Sequence, residues 1–176
     1  MSRWRLWIPL LAFLGFVALA GVMLVKPKDE FVESRMVGKP LPYFALRPAV
    51  SVRPGVASAH FASGKPRLLN VFASWCLPCI AEADQLRVLA ERGAVIDGIA
   101  IRDRPEDVAA FLARYGNPYR AIGADDLSEV QLALGSSGVP ETFVIDGNGR
   151  IAYQHIGDIR PEHVVMLLKK LEEAGS

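Results

Sequence analysis

The apolar run Arg67-Leu68-Leu69-Asn70-Val71-Phe72-Ala73 leads, with only Ser74 and Trp75 between, into Cys76-Leu77-Pro78-Cys79. The run suits a buried strand. Pro78 stands where the first turn of a helix accepts proline. Ile80, Ala83, Leu86, Leu89 and Ala90 then recur at helical spacing up to Gly93, a stop signal. A strand that runs straight into a helix constrains the domain to an α/β arrangement, with the two cysteines at the junction. There the first sulfur meets backbone N–H groups at the positive end of a helix dipole. That setting favours thiolate over thiol, and the thiolate is the attacking species in disulfide exchange. Cys76 is the expected nucleophile, and Cys79, one turn inward, the resolving thiol.

The 176 residues contain no other cysteine. A disulfide stabilises by closing a loop, and more so when the loop is long. Two cysteines separated by two residues constrain almost nothing, so the spacing points to chemistry rather than stapling. Glu82 lies three residues after Cys79 and shares its helix face with Ala83 and Leu86, which turns it inward. A carboxylate beside a half-buried thiol can take its proton during resolution. Trp75, directly before the nucleophile, is expected at the surface where a substrate would touch it.

The remaining pattern alternates strands and helices. Strands are expected at Ala94–Ile101 and Tyr119–Ile122, and helices at Pro105–Tyr115 and Leu127–Leu134. Thr142–Asp146 and Arg150–His155 flank Gly147-Asn148-Gly149, a hairpin signal. Pro161–Glu173 is the last helix, with Val164, Val165, Leu167, Leu168 and Leu171 as its apolar face. Pro40, Pro42, Pro48 and Pro54 limit any strands before the dithiol to short or edge pieces, with candidates at Tyr43–Leu46 and Ala59–Ala62. The order implies an α/β domain with a mixed sheet flanked by helices.

Leu6–Val25 is a run of 20 residues without a charge. As a helix it would span roughly 30 Å, about the thickness of a bilayer's hydrocarbon core. Trp4 and Trp7 mark its start, and Arg3 and Arg5 precede it, which favours a cytoplasmic N-terminus. Ala18-Leu19-Ala20 offers a competing signal-peptide cleavage site, but the apolar run continues past it to Val25. The expected organisation is a cytoplasmic stretch 1–5, a transmembrane anchor 6–25, a linker 26–36 and a domain 37–176. The domain then faces the periplasm, an oxidising compartment. Of the 20 basic side chains, four lie in residues 1–28 with no acid beside them, so the domain itself is mildly acidic. It has no basic run to bind nucleic acid.

Leu68–Glu82 (L-L-N-V-F-A-S-W-C-L-P-C-I-A-E), Tyr115-Gly116-Asn117-Pro118-Tyr119 and Gly138–Gly149 (G-V-P-E-T-F-V-I-D-G-N-G) together resemble the cytochrome c maturation thioredoxins, the CcmG or DsbE family. The resemblance runs from about Val37 to the end, and the N-terminal anchor fits it too. It implies a thioredoxin-like fold in which Pro140 is the cis proline facing the dithiol and the Val139–Pro140 backbone lies against the sulfurs. Thioredoxin carries a buried aspartate on the strand before its dithiol. Here that position is Asn70, which cannot accept a proton, so Glu82 and Glu141 are the expected replacements. Glu141 matches the acid of the family's proline-glutamate-threonine segment. Ser136 and Ser137 depart from the pattern, which has apolar and often aromatic residues there.

The resemblance also implies a client: a disulfide of apocytochrome c, or of a haem-lyase component. It implies a membrane electron donor of the DsbD or CcdA type, and no cofactor. The alternatives are an anchored thioredoxin-like reductase with another client, a thiol peroxidase, and a non-catalytic scaffold of the haem-maturation machinery. Trp75 argues against the peroxidase, which usually has Thr or Ser before its reactive cysteine. No metal site is expected, since zinc would need two further ligands and His60, His155 and His163 lack paired-ligand spacing. The three histidines are expected at the surface, and Asp125-Asp126 as solvated helix-end acids.

Overall fold

The computed structural model describes residues 7–25 and 36–175. These fall into two units, divided between Glu33 and Ser34. In the first, Trp7–Val25 forms helix α1, whose Leu10, Phe13, Leu14 and Phe16 are exposed. Among the described residues no helix is long and apolar enough to cross a membrane. The span expected at Leu6–Val25 draws on Leu6 and on side chains at positions 12, 20 and 22–25, which lie outside the description. The expected cytoplasmic stretch 1–5 also lies outside it, as does the linker apart from Met36.

The second unit is built on five strands: β1 (Arg67–Phe72), β2 (Ile96–Ile101), β3 (Ala121–Asp125), β4 (Glu141–Ile145) and β5 (Ile151–Ile156). Their order in the sheet is β3-β2-β1-β4-β5. The first three are parallel, while β4 runs antiparallel to both β1 and β5. β1 is central and covered on both faces, which is why it reads as a nearly unbroken apolar run. Helices α2 (Leu77–Glu91), α3 (Pro105–Tyr115), α4 (Glu129–Ala133) and α5 (Pro161–Ala174) cover the sheet, with α2 packed against both α3 and α5. This is the thioredoxin-like mixed sheet flanked by helices.

The proline-punctuated stretch before β1 closes both sheet edges. Along β3, Ala49 N–H donates to Ile122 O, Ile122 N–H to Pro54 O and Ala124 N–H to Arg47 O, all at 2.9 Å. Along β5, Gly38 N–H donates to Ile151 O at 2.7 Å and Ile151 N–H to Lys39 O at 2.9 Å. Unpaired strand edges invite association, and these contacts occupy them. The hairpin between β4 and β5 turns as expected. Asp146 Oδ1 accepts the N–H groups of Asn148 and Arg150, and Gly149 takes a positive φ of 78°.

Several expectations change. Ala59–Ala62 is not a strand: Ser58–Phe61 forms a single 3₁₀ turn that buries Phe61 and leaves Ala59 and His60 exposed. Tyr43–Leu46 makes only an isolated bridge, Ala45 to Ala57. The short strand expected at Tyr119–Ile122 is β3, displaced to Ala121–Asp125, because Tyr119 turns into the core before pairing begins. α4 starts late because Ser128 adopts φ 58° and breaks the helix before Glu129. Val165 is exposed, since Val164, Leu167 and Leu171 already occupy the inward face of α5. Asp125 is buried, accepting the Gln131 N–H at 2.9 Å, whereas Asp126 pairs with Arg47 at the surface. His155 is buried as well, under the ring of His163 at 4.5 Å.

Candidate active site

β1 ends at Phe72 and the chain turns through Ala73–Trp75 into α2. Cys76 is the N-cap of that helix, and its Sγ accepts the Cys79 N–H at 3.2 Å. Pro78, in the first turn, lacks an N–H where the helix has no use for one. Cys76 and Cys79 are joined as a disulfide and both are largely buried. Around them the surface is apolar: Trp75 is 57% exposed and Leu77 77%. Large exposed side chains of this kind suit an extended partner that must be gripped briefly.

Val139–Pro140 is a cis peptide immediately before β4. Because β4 runs antiparallel to β1, with Val71 opposite Glu141, this bond lies at the sheet end from which β1 delivers the dithiol. Val139 is half-buried and Pro140 buried.

Beneath α2 lies a closed polar network. Glu82 is fully buried, and its Oε1 accepts Asn70 Nδ2–H at 3.0 Å while its Oε2 accepts the Ile159 N–H at 2.9 Å. Asn70 also donates to Thr142 Oγ1 at 3.0 Å and accepts the Tyr119 hydroxyl at 2.7 Å. The three partners fix which way the Asn70 amide faces. Tyr119 is itself buried, stacked on Phe72 at 4.8 Å between ring centres. Burial pushes the Glu82 carboxyl up from 4.5 to about 7. The donors on Ile159 and Asn70 pull the other way, and the charge of nearby Asp158 adds to the rise. A carboxyl in that range can both take and return a proton near neutral pH. Burial and the Glu82 charge likewise raise Tyr119 well above its ordinary value, which keeps it a neutral donor.

Glu141 does not join this network. Its neighbour Thr142 opposes Asn70, so by strand alternation Glu141 faces the other side of the sheet. It is buried there. Its Oε1 accepts Ser137 N–H at 2.9 Å and Ser137 Oγ–H at 2.8 Å, and its Oε2 accepts Gln154 Nε2–H at 2.9 Å. Ser136 Oγ donates to Gly138 O at 2.9 Å. The two serines that depart from the family pattern thus hold the loop that carries Val139–Pro140. Glu82 and Glu141 thus lie on opposite faces of the sheet and, among the described residues, share no hydrogen-bond partner.

Sequence reasoning did not reach Tyr119, Thr142 or the Ile159 N–H as members of the site. Asn70 was the available signal, because a buried amide on a central strand needs several partners. Among the described residues no group of three or more His, Cys, Asp or Glu could hold a metal ion.

The Redoxin family model matches residues 36–170. A thiol:disulfide interchange protein DsbE from Pasteurella multocida is 37% identical, over 96% of this chain and 97% of its own. The thiol:disulfide interchange protein HelX from Rhodobacter capsulatus is 35% identical, over 98% of this chain and 96% of its own. A crystal structure of a thioredoxin-family thiol:disulfide interchange protein from Chlorobium tepidum superposes with a TM-score of 0.62, covering 78% of this chain and 96% of that one at 23% identity, which speaks to the fold alone. With a dithiol at a helix N-terminus and a match across nearly its whole length, the chain belongs to the Redoxin family of the thioredoxin superfamily and is a thiol:disulfide oxidoreductase of the DsbE and HelX kind.

Proposed function

We propose that this protein reduces a disulfide of apocytochrome c, or of a haem-lyase component, during cytochrome c maturation. The observation that carries the exchange step is Glu82, a carboxyl on the Cys79 side of α2 that burial pushes up to about 7. In the reduced protein the Cys76 thiolate attacks a client sulfur, forms a mixed disulfide and expels the second client sulfur as a thiolate. Cys79 gives its proton to the Glu82 carboxylate and attacks Cys76 Sγ. The Cys76–Cys79 bond forms, the mixed disulfide breaks, and two electrons pass to the client. The first client sulfur leaves and takes up a proton. Trp75 and the Val139–Pro140 backbone line the client's path, and Glu141 keeps the loop that carries Val139–Pro140 in place. The likeness to DsbE and HelX proteins supports the client assignment.

The same reading places the domain in the periplasm, tethered by Leu6–Val25 to the bacterial inner membrane with the N-terminus cytoplasmic. Haem attachment needs free thiols in a compartment that oxidises them, so a membrane donor of the DsbD or CcdA type returns electrons to the Cys76–Cys79 bond. Expression of Cys79→Ala in the native host, followed by non-reducing isolation, should yield a covalent adduct through Cys76. An adduct with apocytochrome c or a haem-lyase component supports the proposal. A Cys76→Ser strain that still matures cytochromes c refutes it. Carbonate-washed membranes test the tether, which requires that the protein stay in the pellet until detergent is added.

A further inference from the structure

The loop after β2 reaches across to the turn that precedes the dithiol. Parallel pairing sets Phe72 beside Ala100, so the chain leaving β2 at Arg102 and Asp103 runs alongside Ser74 and Trp75. Asp103 uses both carboxylate oxygens there: Oδ2 accepts the Ser74 N–H at 2.6 Å and Oδ1 accepts the Ser74 hydroxyl at 2.7 Å. Bonds to a charged acceptor at these lengths are the strong kind. Arg102 sits at φ 47°, a left-handed conformation costly for a residue with a side chain. Its N–H is held by Asp125 O at 3.2 Å, and its carbonyl accepts the Trp75 indole N–H at 3.3 Å. Three bonds therefore run from two consecutive residues of one loop to the two residues before Cys76. The Cys76 N–H is taken by Ala73 O at 3.2 Å, and in the same turn Asp103 accepts both Ser74 donors.

We propose that Asp103 is a positioning residue for the dithiol: through Ser74 it fixes the turn that presents Cys76 at the N-terminus of α2. The Cys79 N–H reaches Cys76 Sγ at 3.2 Å only if that turn holds its shape. The bond from Trp75 to Arg102 O extends the same clamp to the exposed indole, making it an ordered plate beside the attacking sulfur. Asp103 acts by geometry, as an acceptor of two bonds, and not as a charge near the thiolate. The inference rests on Cys76 being the attacking sulfur.

The test uses the full-length protein, reduced, in detergent micelles. Alkylation of each cysteine by iodoacetamide is followed by mass spectrometry across pH in the parent, Asp103→Ala, Asp103→Asn and Ser74→Ala. In Asp103→Ala the midpoint of Cys76 alkylation moves to higher pH, and the rate below that midpoint falls about tenfold, as expected for loss of a charge-assisted bond. Asp103→Asn keeps an acceptor for the Ser74 N–H and a donor for its hydroxyl, and restores the parent profile. A parent-like profile in Asp103→Ala overturns the proposal. So does an equal shift in Asp103→Asn, which would make charge the cause. If Asp103→Ala does not fold by circular dichroism, Ser74→Ala decides: a fall of about threefold supports the clamp, and no change overturns it. Failure of the underlying reading looks different, since Cys79 rather than Cys76 would then be alkylated first in the parent itself.

Discussion

Replacement of Glu82 by Gln should abolish the loss of stability that the protein undergoes as pH rises toward neutrality. In the folded protein this carboxyl titrates at about 7 instead of 4.5, chiefly because it is buried. The folded chain therefore holds the proton more tightly than the unfolded chain does. The associated stability is fully present below 4.5 and is lost as pH rises through about 7. A displacement of that size corresponds to about 3 kcal/mol across the window. Glutamine cannot ionise and loses none of it. It does place an amide N–H₂ against either Asn70 Nδ2 or the Ile159 N–H, each of which now donates to a carboxylate oxygen. One lost acceptor costs about 1 kcal/mol. The two stability curves should thus cross: the parent ahead by about 1 kcal/mol at low pH, the variant ahead by about 2 kcal/mol above neutrality. Urea unfolding of the oxidised full-length proteins in micelles, repeated from about pH 5 to about pH 8, measures the difference. His155, which burial also shifts, is common to both proteins and cancels. Parallel curves across that range would refute the account of Glu82 as a buried, near-neutral acid.

Asp158→Asn removes a charge that helps raise Glu82, so the Glu82 titration, followed by its infrared carboxyl band, should move toward 4.5. Tyr119→Phe leaves Asn70 Oδ1 buried without its hydroxyl donor and should lower stability by about 1–2 kcal/mol, read from the urea midpoint. Glu141→Gln should stay within about 1 kcal/mol of the parent, because the buried Gln154 Oε1 has no hydrogen-bond partner among the described residues and an amide flip can offer it to the new N–H₂. Glu141→Leu strands the Ser137 and Gln154 donors together and should cost about 2–3 kcal/mol in the same assay.

The strand, the two cysteines and the helix after them were legible in the sequence, because each rests on local rules. An apolar run of strand length, a proline in a first turn and a period of 3.6 need no distant partner to be read. The pairing of Cys76 with Cys79, the inward turn of Glu82 and the hairpin at Gly147–Gly149 followed from short spacings in the same way. The cis bond at Pro140 was legible only through resemblance to a known family. What the sequence could not carry were the contacts that join distant segments. Asn70, Tyr119 and Thr142 stand 49 and 72 positions apart along the chain, yet share one amide. Whether Glu82 and Glu141 act on one face depends on the register of β4 against β1, where a slip of one residue would exchange Glu141 for Thr142. The burial of His155 and Asp125 leaves no trace in the sequence, because polarity alone says nothing about what packs over a side chain. Asp103 could not be seen beside Ser74 at all until parallel pairing of β1 and β2 brought the two loops to one end of the sheet. Sequence alone determined the reactive pair and its helix; tertiary structure decided which buried groups hold that pair in place, because only the packed sheet makes neighbours of residues the chain keeps apart.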